Sequence, residues 1–179
     1  MGDTWMMIIA FVLAAILMFG FPLMSMSDRS DDISQLTVTT ATTEFVDNVR
    51  TTGKLTMDDY AALEQSIAAT GNTYDIEMEL QVLDENPGKK TTQADSTKIG
   101  ENVYYSMYTS QILDTIAPSG GTKKVLTLKE GDWFSTTVRN TNTTLAQTLS
   151  NFFYTVTGND TYVIAAQHGG YVTANGSGE

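Results

Sequence analysis

The sequence predicts an α+β protein in which one long N-terminal helix carries a small head of helices and antiparallel strands. Three observations predict it. Trp5 to Met26, WMMIIAFVLAAILMFGFPLMSM, contains no charged side chain, and a helix of that length, rising about 1.5 Å per residue, crosses the roughly 30 Å hydrocarbon core of a bilayer. Beyond it, apolar residues recur at steps of mostly three and four as far as Val49, which extends the helix as an amphipathic stalk. The rest of the chain mixes helical stripes with a period-two strand and lacks the strand–helix–strand units of a parallel sheet, so its strands are expected to pair antiparallel. The domain organisation follows: a transmembrane helix at 1–26, a stalk helix continuing it at 27–53, and an α+β head at 54–179.

Composition narrows what such a protein does. The chain has 179 residues, with 21 acidic against 10 basic side chains, a net charge of −11 and a pI near 4.3. Asp3 is the only charge ahead of Asp28, so nearly all of the negative excess lies beyond the apolar run. Such a surface repels phosphate backbones, which argues against nucleic acid as a partner, and it repels anionic lipid faces too. With no cysteine and a single histidine, His168, the head is held by packing rather than disulfides, and a multi-histidine metal site is excluded. No cofactor is expected.

The start Met-Gly-Asp-Thr has no Lys or Arg, and no A-x-A-like site precedes Met24-Ser25-Met26-Ser27. The apolar run therefore reads as a retained anchor in the lipid bilayer rather than a removed signal. Only Arg29 lies near enough to count towards orientation, and the head is placed outside the cell on its acidic, cysteine-free composition together with the resemblance given below.

The elements follow in order. Ser27-Asp28-Arg29-Ser30-Asp31-Asp32 forms a polar collar, after which Ile33, Leu36, Val38, Ala41, Phe45, Val46 and Val49 make the stalk's apolar stripe. No Gly or Pro interrupts Asp28 to Thr52, and Gly53 is a natural stop. The β-branched run Val38 to Thr43 is the weakest stretch of this helix, and Pro22, two residues after Gly20, is expected to bend it. Thr56 caps a second helix, with Asp58 and Asp59 in its first turn, Tyr60, Leu63 and Ile67 on its buried face and Gly71 at its end. Tyr74, Ile76, Met78, Leu80 and Val82 alternate with polar residues as a strand with one wet face. Asp84 to Glu101, which carries Pro87-Gly88, reads as an exposed loop.

Steps of four among Tyr104, Tyr108, Ile112 and Ile116 predict a helix over Val103–Ile116, ended by Pro118-Ser-Gly-Gly121. Val125 to Leu128, a turn at Lys129-Glu130-Gly131-Asp132 and Trp133 to Val138 predict a hairpin. Thr141 or Asn142 caps a helix carrying Leu145, Leu149, Phe152, Phe153 and Val156 on one side. A strand from Thr161 to Ala166, a turn at His168-Gly169-Gly170 and a return through Tyr171-Val172-Thr173 complete the fold, with a frayed tail from Asn175 to Glu179.

Motifs for chemistry are poor. Glu77 and Glu79 share a strand face, the pattern of a solvated edge rather than of carboxylates flanking a cleft. Asp28, Asp31 and Asp32, like Asp58-Asp59, lack the ligand spacing of a calcium loop. Ser119-Gly120-Gly121-Thr122-Lys123-Lys124 has Thr where a phosphate loop needs Gly before the Lys. His168 has no nucleophile motif beside it. No enzyme activity is expected.

An apolar helix containing Pro22, continuing into an amphipathic half that stops at Gly53 and followed by a small α+β head, resembles the plan of type IV pilins and pseudopilins over about Thr4 to Thr52. The stretches Asp31-Asp-Ile-Ser-Gln35, Thr42-Thr-Glu-Phe-Val-Asp47 and Ala69-Thr-Gly-Asn-Thr-Tyr74 are similar to TadE-like membrane proteins of Tad-type pilus systems in Gram-positive bacteria. Pilins carry Glu at the fifth mature position, where this chain has Trp5 and, nearest, Asp3. The resemblance implies that Asp3 neutralises a neighbour's α-amino group, and that the chain is a single-pass subunit of a pilus or secretion-type surface filament, self-associating or meeting other pilin-like subunits through this helix. Small residues Ala14, Ala15 and Gly20 would allow close helix approach. A tethered ligand-binding or sensor module is the alternative, to be recognised by a large apolar pocket in the head.

Overall fold

A computed structural model of the chain describes residues 2–84, 103–118, 124–148 and 163–176. Helix α1 runs unbroken over Gly2–Thr52, 51 residues, or about 75 Å at the ordinary helical rise. It passes through Gly20 and Pro22 and through the β-branched run. The run is accommodated because its hydroxyls fold back onto the helix: Thr37, Thr39, Thr42 and Thr43 donate to the carbonyls of Ile33, Gln35, Val38 and Thr39 at 2.7–2.9 Å. These bonds back onto the i−4 carbonyls and give each hydroxyl a partner within the helix. Gly53 ends the helix with φ +64 and an N–H bonded to the Val49 carbonyl at 2.9 Å.

Strand β1 (Lys54–Thr56) leads into α2 (Met57–Ala68), whose start is a capping box. Asp59 N–H donates to Thr56 Oγ1 at 3.2 Å, and Thr56 N–H donates to Asp59 Oδ2 at 3.0 Å. Tyr60, Leu63 and Ile67 are buried as the stripe requires. Burial first, then the charges of Glu64 and Asp75, push the Tyr60 hydroxyl up to about 12. Gly71 follows with φ +81.

Strand β2 (Tyr74–Asp84) is central in a four-stranded antiparallel sheet, order β3-β2-β5-β6, with β3 at Val103–Tyr108, β5 at Trp133–Asn140 and β6 at Ala165–Tyr171. Helix α3 (Thr109–Ile116) follows β3, and β4 (Val125–Thr127) pairs with β1 in a separate two-stranded sheet. In the main sheet, Ile76, Met78 and Leu80 face the same way as Val138, Thr136 and Phe134, their partners in register. On that face lies the core, joined by Val38, Phe45, Val46 and Val49 of α1 and by Ile112, Ile116, Leu128, Ile164 and Val172. Phe45 meets Phe134 edge-on, centroids 5.9 Å apart.

The structure differs from the sequence-based expectation at several places, the last strand among them, which runs over Ala165–Tyr171 rather than from Thr161 to Ala166. Val103–Ile116 is not one helix: Val103–Tyr108 is a strand on β2, and only Thr109–Ile116 is helical. Aromatic residues suit a pleated surface, and Thr109 makes the switch by accepting the Met78 N–H at 2.7 Å and donating to the Met78 carbonyl at 3.3 Å. The predicted hairpin does not pair with itself. Its turn exists, with Gly131 at φ +95, but β4 joins β1 and β5 joins β2 and β6. The His168-Gly169-Gly170 segment is strand rather than turn. Its glycines mark close approaches, since a Cβ on Gly169 would lie 2.7 Å from Ser135 Cβ and one on Gly170 would meet the Arg50 guanidinium.

The helix after Asn142 is described only at 145–148, where the cap is Thr144, not Thr141 or Asn142: Gln147 N–H donates to Thr144 Oγ1 at 3.2 Å. Leu145 there is 66 % exposed, and the expected continuation to Val156 lies outside the described residues, as does the loop from 85 to 102. The tail is fastened as far as Gly176, whose N–H donates to the Leu128 carbonyl at 2.9 Å, while Asn175 Oδ1 accepts the Glu130 N–H at 2.9 Å. Residues 177–179 lie outside the described residues.

Candidate functional site: the apolar helix and its seat on the head

Two halves of α1 have opposite surroundings. The most apolar 18-residue stretch is entirely unburied, and it is long and apolar enough to cross a membrane. Side chains such as Phe11 (79 % exposed) and Met7 (74 %) have no cover, an arrangement that water does not tolerate over so large a contiguous surface. From Ser27 onward one side of the helix is buried instead: Ser27, Asp31, Ser34, Val38, Thr42, Phe45, Val46 and Val49, at steps of three and four. This seam is shifted from the predicted stripe. Ile33 and Leu36 are 58 % and 68 % exposed and prolong the uncovered apolar surface past the collar.

The residues singled out in the apolar half lie as follows. Trp5 is 69 % exposed, Ala14 and Pro22 are exposed, and Ala15 and Gly20 are partly covered. The Asp3 side chain lies outside the described residues. At 3.6 residues per turn Ala14 and Gly20 stand roughly 120° apart around the axis, so they do not form one small-residue face. Ala10 and Ala14 share a face, four residues apart, and the sequence reading passed over Ala10.

The seat is locked by four polar contacts that the sequence did not announce. Gln35 lies against the edge of β6, donating through Nε2 to the Ala165 carbonyl at 2.7 Å and accepting the Ala165 N–H at 3.0 Å through Oε1. A side-chain amide thus pairs the edge of the strand as a neighbouring backbone would. Asp47 Oδ1 lies 3.1 Å from His168 Nε2 and accepts from Arg50 Nη1 at 2.8 Å. The His168 hydrogen bond above all, with the charges of His168 and Arg50, holds the Asp47 carboxyl below its usual range against a smaller opposing effect of burial. Arg50 Nε in turn donates to the Tyr171 carbonyl at 2.9 Å, its guanidinium lying over Gly170. At the end nearest the apolar run, Thr144 Oγ1 donates to Asp31 Oδ2 at 2.6 Å.

Magnitudes divide the work. The half-exposed Asp47 pair contributes at most about 1 kcal/mol, whereas burying side chains such as Val38, Phe45, Val46 and Val49 contributes about 1.5–3 kcal/mol each. The apolar seam holds the helix down and the polar contacts fix its register. Gly169-Gly170 was the available signal for this seat, because two glycines in a strand mark a close backbone approach.

The other candidates are placed without convergence. Glu77 is exposed, and Glu79 accepts from Gln81 Nε2 and Ser106 Oγ at 3.0 and 3.2 Å. Asp28 and Asp32 point to solvent while Asp31 is buried, and Asp59 serves the α2 cap. Residues 119–123 lie outside the described residues. Two clefts border α1. One of about 200 Å³ runs between it and α2, and one of about 360 Å³ opens beside Asp31. In comparisons with known proteins the chain matches no protein-family profile, no curated protein and no solved structure.

Proposed function

We propose that this protein is a membrane-anchored structural subunit of a pilus or secretion-type surface filament, its helix held in the bilayer and its acidic head outside the cell. The observation that carries the reading is the division of α1: a membrane-length apolar half left uncovered among the described residues, joined without interruption to a half seated on the head. A subunit built this way offers an apolar rod to lipid before assembly and to other rods afterwards. The exposed Ile33 and Leu36 extend that rod beyond the bilayer, where a mere anchor gains nothing from them.

Electron microscopy of native material tests the reading, with filaments expected and dispersed particles counting against it. Self-association in reconstituted membranes gives a second test. Ala14→Leu and Gly20→Leu lie on different faces, so loss of association is expected from the variant on the contact face, and no loss from either removes the helix as the assembly element.

A further inference from the structure

The cleft beside Asp31 lies where the helix leaves its apolar run. Leu23 and Met26, near the end of that run, form part of its wall, and Ser27 and Ser30 continue that wall along the helix. Across it stand Asn72, from the α2–β2 connection, and Leu145. At about 360 Å³ it is of ligand size. Asp31 is its only charged lining residue and is 7 % exposed. The carboxylate is half used: Oδ2 accepts from Thr144, and among the described residues nothing donates to Oδ1. Asn72 uses its Oδ1 to accept from Asn142 at 3.0 Å, which leaves its amide N–H groups as donors.

We propose that this cleft binds the head group of a zwitterionic aminophospholipid, its ammonium on Asp31, its phosphate on the hydroxyls of Ser27 and Ser30 and the Asn72 amide, and its acyl chain along Leu23 and Met26. The inference rests on the membrane-anchor reading, which puts the cleft at head-group depth. Oδ1 is left open to the cleft's contents with no donor among the described residues, and a primary ammonium supplies three donors where choline supplies none. A head group with phosphate alone finds no positive side chain in the lining, and the acidic head repels it.

The test uses the full chain in nanodiscs of phosphatidylcholine containing equal minor amounts of phosphatidylethanolamine and phosphatidylglycerol, with retained lipid counted by native mass spectrometry after detergent release. One ethanolamine lipid per chain is expected, at least tenfold enriched over the glycerol lipid, with the enrichment lost in Asp31→Asn, which keeps an acceptor for Thr144. Asp32→Asn, a neighbouring exposed carboxylate outside the cleft, is expected to retain it. Ser30→Trp fills the cleft from an exposed position and gives the same loss should Asp31→Asn not fold. Equal retention by Asp31→Asn, equal loss in Asp32→Asn, or preference for phosphatidylglycerol overturns the proposal. Alkaline extraction of membranes is run in parallel. Release of the wild-type chain defeats the anchor reading and this inference with it, whereas a chain that stays in the membrane without lipid selectivity defeats the inference alone.

Discussion

Replacing Gly53 by Ala probes the joint between stalk and head. Two costs add there. Gly53 has φ +64, where a side chain costs about 1–2 kcal/mol. A Cβ at this position also overlaps the Ala174 carbonyl oxygen and the Gly176 amide nitrogen, so the tail has to move. Moving it gives up the Gly176–Leu128 and Asn175–Glu130 hydrogen bonds, about 1 kcal/mol each. The expected destabilisation is therefore roughly 3–4 kcal/mol, read as the urea midpoint of the head in detergent micelles. Trp133 reports it, since its ring meets Tyr171 edge-on with centroids 4.9 Å apart, and Trp5→Phe silences the other indole. Ending the chain at Thr173 removes the tail and leaves only the backbone cost, so in that background Gly53→Ala should cost only about 1–2 kcal/mol. Equal costs in the two backgrounds would refute the packing of the tail on Gly53, and a cost under about 1 kcal/mol in the intact chain would refute the left-handed joint itself.

The same assay reads three further substitutions. Thr136 is fully buried and its hydroxyl has no hydrogen-bond partner among the described residues, so Thr136→Val should stabilise the head by about 1 kcal/mol, and a loss of stability would reveal a partner. Asp132 is 2 % exposed and accepts the N–H groups of Leu83 and Lys129 at 2.9 and 2.8 Å. Asp132→Ala strands both donors and should cost roughly 2–5 kcal/mol, with Asp132→Asn about half of that because it keeps one acceptor. Asp47 has a lowered folded-state pKa, so its contribution is present above the unfolded value near 4 and lost as pH falls through the lower folded one. The midpoint difference between wild type and Asp47→Asn should shrink between pH 5 and 3, starting from at most about 1 kcal/mol because the side chain is half exposed; a difference that grows on acidification contradicts the sign.

Local rules reached much of this fold. The apolar run, the Thr56 cap with its Asp59 partner and the alternation of β2 are each written within about a dozen residues, and each appears where expected. What escaped is non-local. Tyr104 and Tyr108 fit a helical step of four as well as a strand, and pairing with β2 decided between them. Nothing near Lys129–Asp132 tells that β4 will seek β1, some 70 residues earlier, rather than β5. The seat of the stalk was the least legible part. Gln35, Asp47 and Arg50 look like ordinary polar residues of a helix and gain their roles from β6, more than 100 positions away.

A continuous rod has a mechanical consequence. Because α1 stays helical from Gly2 to Thr52 with Pro22 as its one internal proline, and helices bend sharply at such interruptions, any swivel lies at Pro22, and the stretch from Leu23 to Gly53 that carries the head has none. Torque applied to the rod beyond Pro22 arrives at Gly53 through the same main-chain ladder, so turning that part of the rod steers the head like a key in a lock.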